Sequence, residues 1–472
     1  MGSVAIHASG RICTIADWYQ DQSASVGRGM HGTVPPDDDR VGVDVSTYVE
    51  FLAAKAAAAP HDGRTIPVSD VHPSLHRWQA EIVQWAVGTS RAAIWADTGL
   101  GKTRMQLEWA RITDGFPIVI APLAVCRQTI REAEKLGIAA QYVRSTADVN
   151  RFKLSVTNYE RVDAIDPGLF DSVVLDESSI LKQSDGATRT ALIEWASTIP
   201  HRLACSATPA PNDPEELTNQ AEWLGRMTRT HMLAAYFVHD QDGWRIKGHA
   251  GGPMVDWMTS WAVALRRPSD MGGDDTGYIL PGLDIVPHLV ESRVEEDGAL
   301  FAVDLGGVTG RSKVRKQTLD DRVAVAAELV AAEPDEPWLL WCALNAEAEA
   351  LADAIPGAVN VHGALHPDQK ADALMDFADG GFRVLITKPQ IASQGLNYQH
   401  CARMAFVGLG DSYEQYYQAI RRCYRYGQSR IVQAHIILSD LESQIATNVA
   451  RKERQANLIT DALIAARKRS VA

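Results

Sequence analysis

The chain has 472 residues, 46% of them hydrophobic and 22% charged, and a formal net charge of −13. That is ordinary globular composition with room for about two to four domains of roughly 100–200 residues each, and its scattered cysteines argue against a disulfide framework. No apolar run nears the ~20 residues of a membrane span, Asp17 interrupts the short N-terminal apolar patch, and no signal peptide is read.

Residues 1–70 read as a lead-in. The first 45 carry Gly, Asp and Pro without sustained periodicity, and Met30 is a candidate true start. "TYVEFLAAKAAAA" then reads as a helix, with Thr47 and Glu50 at capping-box spacing and Pro60 as its stop. From 71 to 221, the apolar runs "RAAIWAD", "PIVIAP", "KLSVTNY", "DSVVLDE" and "HRLACSAT" alternate with helical stretches. Strands that are apolar throughout and separated by helices imply a parallel sheet covered on both faces. Residues 222–334, holding Trp223, Trp244, Trp257 and Trp261, read as a mostly helical insertion. Its tryptophans are either core or a surface for DNA or a partner. A second α/β series runs from 335 to 445: "PWLLWCA", "GAVNVHG", "FRVLITK", "RMAFVGLG" and "IVQAHIIL". Residues 446–472 form a basic C-terminal helix.

The six cysteines (Cys13, Cys126, Cys205, Cys342, Cys401, Cys423) include no C-x-x-C pair. This argues against a zinc ribbon and suits a reducing cytosol, so a cytoplasmic location is expected. The acidic net charge does not suggest a nucleic-acid binder, yet phosphate binding needs only a local basic stripe. "RSKVRK" at 311–316 and "RKERQ…ARKR" in the tail are candidates; such clusters are more often solvated helix faces.

The chemistry starts in "IWADTGLGKTRMQLEW" at 94–109. It fits the phosphate-loop pattern G-x-x-x-x-G-K-[ST] except that Ala96 stands at the first glycine. The turn Thr98–Lys102 lies between a strand and a helix, where unpaired N–H groups and the helix dipole favour phosphate. Gly99 and Gly101 permit a tight wrap, Lys102 reaches the β/γ-phosphates of ATP, and the Thr103 hydroxyl is a Mg²⁺ ligand; Arg104 completes the nucleotide-binding candidates. A magnesium–nucleotide site needs a carboxylate for the ion and a base for water. "DSVVLDESS" offers Asp176 and Glu177 after a buried strand. "CSATPAPNDPEEL" follows the next strand with Ser206 and Thr208, its prolines opposing helix. In "YYQAIRRCYRYGQ", Arg422 and Arg425 stand three apart, on one face of an expected helix, as candidate arginine fingers.

The ordered set "LHRWQ", "DTGLGKT", "VIAPLAV", "VTNYERV", "LDESS", "SATP", "QGLN" and "QAIRRCYRYGQ" spans about residues 72–440. It resembles superfamily-two helicases. The last motif is closest to Swi/Snf-type translocases, and the "DESS" form and short inter-lobe region resemble compact helicase-like proteins of bacterial viruses. In that setting the cytoplasm is a bacterial host's. The resemblance implies two tandem RecA-like parallel-sheet lobes, ATP with Mg²⁺, and largely sequence-independent binding of DNA, chiefly duplex, with replication or recombination proteins as possible partners. It implies that Gln79 reads adenine and that Ser206 and Thr208 couple hydrolysis to lobe movement. Gln394, Gly395 and Asn397 would line the cleft and strand path. "DESS" departs from the usual Asp-Glu-Ala-His, which leaves the link from Ser179 to "SATP" open. The function expected is an ATP-driven DNA helicase or translocase. The alternatives are a nucleotide kinase and a DNA-binding protein with a decayed ATPase. The second α/β domain argues against the first, and intact Lys102, Asp176, Glu177, Arg422 and Arg425 against the second.

Overall fold

The computed structural model describes residues 62–183, 185–241, 243–291, 316–392, 397–410, 412–439 and 443–471. The helix expected at 47–60, the basic run at 311–315, and Gln394 and Gly395 lie outside them. The described residues as far as Tyr278, with those from Arg454 on, form one compact unit, and Ile279–Glu453 forms another.

The first unit is a lobe around seven parallel strands: β1 (Arg91–Ala96), β2 (Pro117–Ala121), β3 (Ala140–Tyr142), β4 (Leu154–Asn158), β5 (Ser172–Asp176), β6 (His201–Ser206) and β9 (Ala262–Leu265). Their order is β3-β4-β2-β5-β6-β1-β9. Between β6 and β9 in the chain lies an antiparallel hairpin, β7 (Phe237–Asp240) with β8 (Gly243–Ile246). The apolar runs are strands because both faces are buried. Along β1, Ala93 and Trp95 enter one core, while Ala92, Ile94 and Ala96 enter the other. That two-residue alternation is the pleat itself. Helices α1 (Arg77–Thr89), α2 (Lys102–Ile112), α3 (Leu123–Lys135), α4 (Ala187–Ala196), α5 (Leu217–Trp223), α6 (Arg229–Tyr236) and α7 (Gly251–Met258) accompany the sheet.

The second unit has six parallel strands: β10 (Leu283–Val290), β11 (Trp338–Cys342), β12 (Val359–Val361), β13 (Val384–Thr387), β14 (Arg403–Val407) and β15 (Val432–Ser439). They run in the order β10-β15-β14-β11-β13-β12. Helices α8 (Leu319–Ala332), α9 (Asn345–Ala354), α10 (Pro367–Ala378), α11 (Pro389–Ala392) and α12 (Tyr413–Ile420) belong to it. Each lobe is thus a parallel α/β sheet, as two RecA-like lobes require, and every strand named from the sequence is present.

The mostly helical insertion expected at 222–334 is corrected. Its first part belongs to the first lobe: β9 pairs with β1 in parallel and so extends the central sheet. Trp223, Trp257 and Trp261 are core residues there, and Trp244 packs against them. Trp261 meets Trp95 edge-to-face at 5.7 Å and Trp257 at 5.3 Å. Its later part supplies β10 and α8 to the second lobe. The tryptophans are core, in line with the plainer of the two sequence readings. Helical periodicity missed β9 because a fully buried edge contribution of four residues carries no alternation to read.

Helix α13 runs over Ser443–Val471. Its Ile459, Leu463, Ile464 and Ala466 enter the first lobe's core. Its cations are also engaged: Arg467 lies 5.1 Å over the Trp85 ring, Lys468 pairs with Asp270 at 3.0 Å, and Arg469 with Asp256 at 3.7 Å. No described helix is long and apolar enough to cross a membrane.

Candidate functional site

In an open parallel sheet, ligands bind outside the carboxyl ends of the strands. In the first lobe those ends carry the residues singled out from the sequence. Strand β1 stops at Ala96, the Asp97–Gly101 turn follows, and α2 starts at Lys102. Ala96 is still part of the sheet, paired with Leu265 and fully buried. An extended residue needs no positive φ, which is why alanine serves at the position where the pattern expects glycine. Gly99 (φ 86°) and Gly101 (φ 77°) do take the left-handed conformation.

Lys102 folds back over this turn, its Nζ donating to the Ala96 carbonyl (2.7 Å) and the Asp97 carbonyl (3.4 Å). Its charge also acts on Asp176 at the end of β5. Burial pushes the Asp176 carboxyl above its ordinary range, and the Lys102 charge, the Gln106 amide and the Glu177 N–H pull it back. Thr103 stands beside Lys102 in the first turn of α2. A half-exposed hydroxyl at a helix start and a buried carboxylate near a lysine suit Mg²⁺, a hard cation that takes oxygen ligands.

Glu177 follows Asp176 and adopts φ 48°, ψ 57°. A non-glycine residue in this region carries about 1–2 kcal/mol of backbone strain. The strain is held by neighbours: the Tyr159 hydroxyl donates to the Asp176 carbonyl at 2.6 Å, and the Glu177 N–H donates to Asp176 Oδ1 at 3.1 Å. Strain of this kind concentrates at functional sites.

After β6, the Thr208 N–H donates to Ser206 Oγ at 3.0 Å. The proline-rich loop beyond is closed by Glu216, whose carboxylate accepts from the Asn212 N–H (3.0 Å) and the Asn212 amide nitrogen (2.8 Å). Burial raises the Glu216 carboxyl to about 7 against the Asn212 bonds.

Three further candidates from the sequence have partners within the first lobe. Gln79 is buried; its amide oxygen accepts from the His76 N–H (2.9 Å) and its nitrogen donates to the Leu100 carbonyl (3.0 Å). It braces the phosphate turn against the start of α1. Thr98 donates its N–H to Asp97 Oδ1 at 2.6 Å. Arg104 points to Glu132 on α3, 3.9 Å away and partly exposed.

Gln106 was not anticipated. It lies one turn after Lys102, fully buried, with neither amide atom in a hydrogen bond of good geometry, although its amide faces the Asp176 carboxylate. The i, i+4 spacing from Lys102 was legible, but a glutamine in an amphipathic helix reads as solvent-facing.

In the second lobe, α12 ends at Ile420, so Arg422 and Arg425 are not on a helix, contrary to the sequence reading. The carbonyls that would continue the helix are taken elsewhere. The Arg422 carbonyl accepts from the Tyr398 N–H at 2.8 Å, and the Cys423 carbonyl from the Gln428 side chain at 3.3 Å. Gly427 then turns at φ 91°. Arg425 donates to the Asn397 side chain. Burial, with Arg422 and Arg421 adjacent, depresses its guanidinium to about 10. No carboxylate pairs with it among the described residues. Arg421 sits over the Tyr417 and Tyr424 rings at 5.1 and 5.3 Å. Arg421, Arg422 and Arg425 crowd guanidinium charge into this segment, an arrangement suited to an anionic ligand.

Residues 321–427 match the family model of the helicase conserved C-terminal domain. This stretch is helicase-like. The helicase-like segment contains both Arg422 and Arg425, together with Asn397. No curated protein matches the chain. Among solved structures, a Sulfolobus solfataricus SWI2/SNF2 ATPase core in complex with dsDNA is 16% identical. The match covers 85% of this chain and 96% of that one, with a TM-score of 0.41, a likeness too loose to carry a functional inference.

Proposed function

We propose that the protein is an ATP-driven DNA translocase of the superfamily-two helicase type. The observation that carries the reading is the convergence of Lys102, Asp176 and a left-handed Glu177 at the carboxyl ends of β1 and β5. Lysine holds the β/γ-phosphates in the turn made by Thr98, Gly99 and Gly101, and Gln79 keeps that turn in place. Thr103 and Asp176 would hold Mg²⁺, which neutralises phosphate oxygens when bound. Glu177 orients and deprotonates the attacking water. Arg422 and Arg425 stabilise charge developing on the transferred phosphoryl group, and Ser206 and Thr208 transmit its loss. The DNA is duplex, gripped through its phosphates and hence with little sequence preference.

The test is ATP hydrolysis by wild type and Lys102→Ala with no nucleic acid, duplex DNA or single-stranded DNA. Stimulation by duplex in wild type only, together with triplex displacement, supports the motor. DNA binding without hydrolysis points to a non-motor binder, and phosphoryl transfer to a small molecule to a kinase.

A further inference from the structure

We infer that Gln220 is the positioning residue that couples the hydrolytic strand end to the loop after β6. This rests on the hydrolase reading above. The sequence leaves the link between "DESS" and "SATP" open, and strand pairing does not supply it: the register of β5 with β6 ends at Asp176 opposite Cys205. Beyond that pair the two loops have no shared ladder.

The bridge comes from α5. Gln220 is almost wholly buried, and its amide nitrogen donates to the Ser178 carbonyl (2.9 Å) and, at 3.3 Å, to the Pro209 carbonyl. Ser178 follows Glu177 and Pro209 follows Thr208. A single –NH₂ group thus ties the residue after the candidate base to the residue after the candidate coupling hydroxyl. Its neighbour Asn219 donates to the Leu181 and Lys182 carbonyls at 2.8 and 3.3 Å, anchoring α5 to the same loop.

The other half of the amide supplies a second state. Gln220 Oε1 is buried with no donor, and so is Ser178 Oγ. Each orphan is unfavourable where it stands, because a buried polar atom has given up water without a replacement. A shift of the Ser178 loop relative to Pro209 that brought this hydroxyl to this oxygen would pair both orphans while releasing the longer Pro209 bond. The clip thus offers a second pairing for the coupling to use.

The experiment uses full-length Gln220→Met, which keeps the volume and removes the donor, and Gln220→Asn, which keeps the amide on an arm too short for both carbonyls. ATP dependence of hydrolysis with and without duplex DNA, triplex displacement per ATP and thermal melting are measured. In both variants the KM for ATP stays within about twofold of wild type while DNA-stimulated kcat and displacement per ATP fall about tenfold. Stimulated kcat and displacement within twofold of wild type in a folded variant overturn the inference. Loss of melting temperature, KM and kcat together in both variants also overturns it and leaves Gln220 a plain packing residue. Wild type lacking DNA-stimulated hydrolysis is a separate result: it removes the functional reading itself before the variants are compared.

Discussion

Gly101 backs directly onto Gln79: a Cβ at position 101 would lie 2.4 Å from Gln79 Nε2. The same glycine holds φ 77°. Gly101→Ala therefore suffers twice, from about 1–2 kcal/mol of left-handed strain and from displacement of the glutamine that braces Leu100. Lower melting temperature and weakened binding of a fluorescent ATP analogue are expected. A variant that binds the analogue like wild type would show that the brace is dispensable.

The backbone of Glu177 is costly in the folded state, so removing its side chain has opposite effects on stability and chemistry. Glu177→Gly relieves about 1 kcal/mol of strain while hydrolysis falls about 10²–10⁴-fold through loss of the general base. Denaturation and steady-state turnover on the same preparation test both halves. A glycine variant that still hydrolyses ATP at the wild-type rate rules out Glu177 as the base.

Arg425 is partly buried and held by Asn397, and its guanidinium is already depressed to about 10 without a carboxylate partner among the described residues. Arg425→Ala should leave ATP affinity largely intact and reduce hydrolysis by about 10³. Equilibrium nucleotide binding separates this from misfolding. Normal turnover would refute the finger assignment.

Burial raises the Glu216 carboxyl from 4.5 to about 7, so the folded state binds that proton more tightly than the unfolded chain. The resulting stability is fully present below 4.5 and is lost as pH rises through about 7. The shift corresponds to a loss of about 3 kcal/mol across that window, at 1.36 kcal/mol per unit. Glu216→Gln has no such proton to lose, so chemical denaturation at several pH values should find the variant gaining on wild type as pH rises. Parallel pH curves for the two proteins would contradict the assignment.

Much of this was legible in the chain. Continuous apolar runs between helices named β1, β2, β4, β5 and β6 in one lobe and β11 to β15 in the other, because strands covered on both faces must be apolar throughout. Lys102, Asp176 and Glu177 were legible because each ends or follows such a strand. What the sequence by itself determined is therefore the parallel sheets and the loops at their carboxyl ends, since these depend on local pattern and on strand burial. Only the tertiary structure decided that Trp257 and Trp261 are core of the first lobe, that Arg422 and Arg425 lie past the end of their helix, and that Gln220 joins two loops. Those outcomes turn on which carbonyl a distant side chain captures and which face a distant strand covers, and such long-range competition leaves no periodicity in the local sequence.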